Sequence, residues 1–368
     1  MATGFFHDER CLWHFGGAYA SVVPLGGLVQ PMEAGGLPES PETKRRLKNL
    51  LEVTGLWREL DVRSADMASR KALERVHPAT YLDAFKEMSD AGGGELGLRT
   101  PFGKGGYEIA TLSAGLSIAA VEAVLSGELE NAYALSRPPG HHATPDYPMG
   151  FCLMANIAIA IRAAQAADPG LRVAVVDWDV HHGNGTEAIF YEDPSVLTIS
   201  LHQEWNFPLD KGGAEDRGSG DGVGFNLNIP LAPGGGDDVY TYAYDRIVQP
   251  ALQDFAPDLI IIACGFDASG IDPLSRMLAG SFTFAALTER AMADAAALCG
   301  GRLVMVHEGG YSEVHVPFCG HAVLEVLSGS SIRAEDPLEK RLRGQQLSER
   351  AAAFHRALVD DVAAVHGL

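Results

Sequence analysis

Five short β-rich runs constrain the fold of this chain most strongly. They are RVAVVDW (172–178), SVLTISL (195–201), FNLNI (225–229), DLIIIACG (258–265) and RLVMVHE (302–308). Two further runs, GFFH (4–7) and NAYALS (131–136), have the same character. A strand with one wet face alternates apolar and polar residues, as FNLNI does; VAVV, LIIIA and LVMV do not, so both of their faces are covered. Helical patterns fill the intervals. In 106–126, Ile109, Leu112, Leu116, Ala119, Ala120, Ala123 and Val124 recur at helical spacing, and Gly127 ends the pattern. Segments 151–167, 238–255 and 283–299 read similarly. The fold class expected is α/β, a parallel sheet with helices on both faces.

The 368 residues show no linker-like stretch or shift in composition. One large domain spanning 1–368 is expected, with a core to about 330 and a helical tail over about 333–368. Two glycine-rich stretches, 16–36 and 210–224, read as functional loops. The net charge of -20 excludes the basic stripe of a nucleic-acid binder; KRRLK at 44–48 is a single short cluster. Such a surface suits cationic partners, polyamines or Lys-rich tails among them, and equally serves solubility. The five cysteines are odd in number, far apart and without a CxxC pair, which argues against a disulfide framework. Cys152 and Cys264 read as buried thiols. The N-terminus has no long apolar signal core, and no apolar run approaches the roughly 20 residues that span a bilayer, so no membrane partner and cytoplasmic residence are expected.

Open parallel sheets bind ligands beyond the carboxyl ends of their strands. The titratable clusters fall there. Run 131–136 delivers His141 and His142, and run 172–178 delivers Asp177, Asp179, His181 and His182. Run 258–265 delivers Asp267, and run 302–308 delivers Glu308 and Tyr311. Singly, each has a bland explanation: a helix N-cap for Asp267, incidental surface pairs for the histidines, a packed aromatic for Tyr311. Together they require several coincidences. Asp179 and His181, two apart, share a side of extended chain. With Asp267 they make a two-carboxylate, one-imidazole set suited to Zn²⁺ or Fe²⁺, with positions left for water and substrate.

Seven ordered motifs, RPPGHHA, GFC, DWDVHHGNGT, LTISLH, GFDA, DPL and EGGYS, resemble the metal-dependent histone deacetylase and acetylpolyamine amidohydrolase superfamily, and within it the bacterial class II-like amidohydrolases. The resemblance covers about 1–330. It implies the arginase-deacetylase fold with a central eight-stranded parallel sheet. It implies catalytic Zn²⁺ held by Asp179, His181 and Asp267, with His141 and His142 as the tandem histidines, Asp177 orienting His141, Asn184 orienting His142, and Tyr311 as the transition-state hydroxyl. Gly150, Phe151, Phe207 and Gly310 match the substrate tunnel, with Phe151 and Phe207 as its walls. A structural K⁺ is implied at Asp177, Asp179, His181, Ser200 and Leu201, and a second at Phe190, Asp193, Val196 and Phe225. The family's early His-Pro-Glu is here Leu37-Pro-Glu, which bears on the tunnel rim more than on the chemistry.

The expected reaction is hydrolytic removal of acetyl or related acyl groups from lysine side chains, with an acetylpolyamine or other small amide as the alternative substrate. Asp177 favours an imidazolium at His141, whereas the neutral Asn184 leaves His142 as the better general base. A two-metal hydrolase would need further Asp/His ligands in DxHxD-type segments, and there are none. A metal- or acyl-binding regulator would not need the complete set of reactive groups. A homo-oligomer, dimer or tetramer, is expected from the long loops and helical tail.

Overall fold

In the computed structural model, residues 2–14, 19–20, 22–24 and 37–368 are described. Most of the 16–36 glycine-rich stretch lies outside them.

Eight parallel strands form the central sheet: β1 (Thr3–Phe6), β2 (Asp61–Arg63), β3 (Asn131–Ala134), β4 (Val173–Asp177), β5 (Val196–Gln203), β6 (Asn226–Leu231), β7 (Leu259–Cys264) and β8 (Leu303–His307). Their spatial order is β6-β5-β4-β7-β8-β3-β1-β2. Seven strands coincide with the apolar runs. The eighth, β2, is a three-residue edge strand with the sequence DVR, too short and too charged to stand out.

The continuous apolar character of the runs follows from two cores. Along β4, Ala174 and Val176 pack on one side, Val173 and Val175 on the other. Along β7, Ile260 and Ile262 oppose Leu259 and Ile261. The first side is covered by helices Glu42–Thr54, Ser281–Cys299, Val316–Ser328 and Glu349–His366. The second is covered by Gly106–Leu125 and Asn156–Ala167. Fully burying each such aliphatic side chain stabilises the fold by about 1.5–3 kcal/mol.

Three expectations are corrected. Helix 151–167 begins only at Asn156: Phe151 takes a left-handed conformation (φ 69°), and Ala155, the residue before the helix, is still non-helical (ψ 75°). The 238–255 pattern is one rod in two α-helical parts, Asp237–Ala243 and Gln249–Phe255, joined by a π-helical turn over Tyr244–Val248. Contrary to the expectation of no run near spanning length, Gly106–Leu125 has a span's length and a mean hydropathy of 1.6; it is 67% buried inside the fold.

The tail docks by side chains. His366 Nε2 lies 2.9 Å from the Asn228 carbonyl oxygen, and the Arg246 guanidinium donates to Asp360 at 3.1 Å. All five cysteines are free and buried.

Candidate active site

The chain turns back at β4, where β5 and β6 lie to one side and β7 and β8 to the other. This is a topological switch point, and the crevice for a ligand opens there. β4 ends at Asp177, which pairs in register with Ser200 on β5. Two successive Asx turns follow. Asp177 Oδ1 accepts from the Asp179 N–H at 3.0 Å, and Asp179 Oδ1 accepts from the His181 N–H at 2.9 Å. These bonds orient both carboxyl groups through the local backbone. The neighbouring β7 releases Asp267, whose Oδ1 accepts from the Val180 N–H at 2.8 Å.

Asp179, His181 and Asp267 therefore meet. His181 Nδ1 lies 3.0 Å from Asp179 Oδ1 and 3.1 Å from Asp267 Oδ2. One donor atom from each lies within 4.8 Å of the others, and all three residues are buried. Burial opposes charge on His181, but Asp267 and Asp179 raise its pKa to about 10. Burial, and then Asp179, raises Asp267 to about 6. Two carboxylates this close and this dry require a positive partner between them. A divalent ion with neutral imidazole as co-ligand fits that demand, and the donor set suits Zn²⁺.

Gly309 closes the set. Its N–H donates to Asp179 Oδ2 at 2.8 Å, and a Cβ there would collide with the carboxylates of both aspartates. Only glycine fits this close approach.

The tandem histidines come from the loop after β3. His141 Nδ1 is 2.9 Å from Asp177 Oδ2, and the two imidazole centroids are 4.0 Å apart. Burial opposes protonation of His141, yet Asp179 and Asp177 hold its pKa well above the usual imidazole range. Burial, and then the charges at His141 and His181, holds His142 well below it. The expected inequality between the two rings is thus built into their surroundings.

A cavity of about 550 Å³ opens over this floor, lined in part by His142, Gly150, Phe151, His181, Phe207 and Tyr311. Phe207 stands edge-on to His142 at 5.0 Å, and Phe151 edge-on to Tyr311 at 5.7 Å. Gly150 has φ 55°, and its missing Cβ leaves room for the His142 ring. Gly310 does not line the cavity; it packs against Val316 and Phe266. Leu37, which stands where histidine is usual in the resembled family, packs with Phe151 and Tyr311.

The two sets matched to potassium lie at opposite ends of the sheet. Asp177, Asp179, His181, Ser200 and Leu201 adjoin the carboxyl ends of β4 and β5. Phe190, Asp193, Val196 and Phe225 lie at the amino ends of β5 and β6, where the Phe190 carbonyl accepts from the Asp193 N–H at 2.9 Å.

Sequence reasoning gave no role to three supporting residues. Glu308 Oε2 accepts from the Gly140 and His141 N–H groups at 2.7 and 3.1 Å. Asp272 Oδ2 accepts from the Tyr311 N–H at 2.7 Å. The Arg99 guanidinium lies 5.6 Å from the Phe207 ring centre at the mouth. Side chain to backbone bonds leave no spacing signal; only the position of Asp272 in DPL and of Glu308 in EGGYS hinted at them. His141, Cys152 and Glu308 form a second close group of metal-ligating types. Burial drives the Cys152 thiol pKa well up, which keeps it a protonated core thiol.

The histone deacetylase domain family model matches residues 37–327. The chain is 57% identical over 366 residues to the histone deacetylase-like amidohydrolase of Pseudomonas aeruginosa, covering 100% of this chain and 96% of that protein. It is 38% identical over 304 residues to a probable deacetylase of Archaeoglobus fulgidus, covering 81% and 83% respectively. The crystal structure of the HDA15 HD domain superposes with a TM-score of 0.84 at 33% identity, covering 100% of this chain and 96% of that one.

Proposed function

Because this chain belongs to the histone deacetylase family, we propose that it is a zinc-dependent amidohydrolase removing acetyl or related acyl groups from lysine side chains. The observation that carries this reading is the convergence of Asp179, His181 and Asp267 within 4.8 Å at the floor of an aromatic-walled cavity.

In this reading Asp179, His181 and Asp267 would hold the ion, and the chemistry it would supply is polarisation of the amide carbonyl and a lowered pKa for water. The chain's own groups do the rest. His142, neutral and 2.7 Å from Asn184 Oδ1, accepts the proton of the attacking water at Nε2 and returns it to the leaving amine. Its Nδ1–H donates to the Asn184 oxygen, which fixes the ring. His141, charged against Asp177, stabilises the negative charge that develops. The Tyr311 hydroxyl, which burial keeps protonated, donates to the same oxyanion. Phe151 and Phe207 hold the aliphatic stem of lysine and exclude water from it. The same reading takes 1–368 as one catalytic unit in the cytoplasm, and takes K⁺ as the structural ion at both matched sets; the Asp177–Ser200 pairing supports the first.

The test is hydrolysis of a fluorogenic acetyl-lysine peptide, with loss on chelation and recovery on addition of Zn²⁺. A parallel assay on N-acetylpolyamines decides between the two substrate classes. Full activity in metal-free protein would overturn the proposal.

A further inference from the structure

The loop that carries Tyr311 is tied at its far end by a buried relay that the chemistry above does not use. His315 is completely buried. Its Nδ1 lies 2.7 Å from Ser269 Oγ, and its Nε2 lies 2.9 Å from Asp336 Oδ2. The same Asp336 oxygen accepts from the Ser281 hydroxyl at 2.6 Å, and its Oδ1 accepts from the Leu338 N–H at 2.8 Å. Ser269 lies two residues beyond Asp267, and its hydroxyl oxygen also accepts from the Ile271 N–H at 3.4 Å. Three segments thus meet on one imidazole: the Asp267 loop, the Tyr311 loop and the C-terminal segment. Asp336 lies beyond the stretch 37–327 that the family model matches.

Serine, histidine and aspartate together suggest a hydrolytic triad, but the geometry excludes it. Ser269 is 1% exposed, and neither it nor His315 lines the substrate cavity. The contacts instead fix a ring. With the Nε2–H donating to Asp336 and Nδ1 accepting from Ser269, the imidazole cannot turn without leaving a buried polar group unpaired. Tyr311, four residues earlier, is held at its backbone N–H by Asp272. Its ring packs against Phe151 and Leu37, and the loop that presents it to them is pinned next at His315.

The geometry points to His315 as a positioning residue for Tyr311, with Asp336 of the C-terminal segment holding it in place. The inference rests on the acyl-amide reading of the Tyr311 site. Misplacing a catalytic group by 1 Å costs up to about 10²-fold in rate.

Two readouts test it. In acetyl-lysine hydrolysis, His315→Ala lowers kcat about 10- to 100-fold and leaves KM within about twofold. In a Tyr311→Phe background the same change lowers kcat less than about twofold, because the residue acts through the hydroxyl already removed. His315→Gln, which keeps a hydrogen-bonding side chain, recovers part of the loss. Equal losses in both backgrounds overturn the proposal. The second readout needs no activity. With 3-fluorotyrosine placed at position 311 alone, the fluorine resonance of the metal-loaded protein shifts or broadens in His315→Ala and in Asp336→Asn. If His315→Ala does not fold, Asp336→Asn decides. An unchanged resonance in a folded variant overturns the proposal. Absence of acetyl-lysine hydrolysis by the unsubstituted protein would instead refute the functional reading, and the fluorine readout would still decide the role of His315.

Discussion

His142 Nδ1 lies 2.7 Å from the amide oxygen of Asn184, while His141 Nδ1 lies 2.9 Å from the Asp177 carboxylate. One ring faces a neutral acceptor and its neighbour a charged one. Catalysis needs His142 neutral and His141 protonated. His142 is held below the ordinary 6.5, by burial and then by His141, so the acid limb of the pH–rate profile falls below pH 6.5. His141 is held above 6.5, Asp179 and Asp177 outweighing burial, so the basic limb falls above it. Asp177→Asn removes a carboxylate that raises the His141 pKa, and the basic limb moves toward lower pH.

His142→Ala is expected to lower kcat about 10²- to 10⁴-fold and to abolish the acid limb, while His141→Ala retains more turnover. Steady-state profiles of the two variants decide the roles. Near-normal turnover in His142→Ala would show that His141 is the base.

Asp267→Ala removes one of two carboxylates from the three-ligand set. Zinc content measured by mass spectrometry after dialysis is expected to fall well below one equivalent, with loss of activity. The fold should persist, since Asp267 lies beyond the strand that precedes it.

Gly150→Ala is expected to cost about 10²-fold in kcat/KM, because the added methyl meets the His142 ring in a left-handed backbone (φ 55°). Circular dichroism and kcat/KM measured together separate this local displacement from unfolding. A variant with wild-type kcat/KM would show that the ring has room to move.

Glu39, Lys44 and Arg137 form a buried charge cluster beneath the site, with Lys44 Nζ 3.1 Å and Arg137 Nε 3.0 Å from Glu39 Oε1. Burial raises the Glu39 pKa, but Arg137 and Lys44 outweigh it and bring it to about 2, against an ordinary 4.5. The stability this contributes is present above pH 4.5 and is lost as pH falls from 4.5 toward 2. Glu39→Gln leaves two buried cations short of a counter-charge and is expected to cost about 3–5 kcal/mol near neutral pH. Urea titrations at pH 7 and pH 3 should show the difference between the two proteins narrowing at the lower pH.

What the sequence revealed follows from where chemistry sits on this sheet. Asp177, Asp179, His181 and Asp267 could be placed because each follows an apolar run whose end is unmistakable, and a parallel sheet brings such ends to one rim. The edge strand Asp61–Arg63 carried no such signal, since it has a single apolar residue. The π-helical turn at Tyr244–Val248 left no break in the pattern, because the buried residues on either side of it, from Val239 and Tyr240 to Ala251, Leu252 and Phe255, recur every four residues, a spacing close to the helical period. Leu37 drew notice as a departure from the resembled family, but its packing with Phe151 and Tyr311 is a long-range contact that local spacing does not encode. The same holds for Asp272 and Glu308, which act on backbone N–H groups far away in the chain.

Every strand of the sheet runs in the same direction, so the reactive groups gather at the carboxyl ends and the amino ends lie away from the cavity. The exposed turn 168–170, just before β4, lies at those amino ends. A fluorophore or a surface tether attached there would leave the cavity mouth facing outward, giving an immobilised catalyst whose orientation the topology itself dictates.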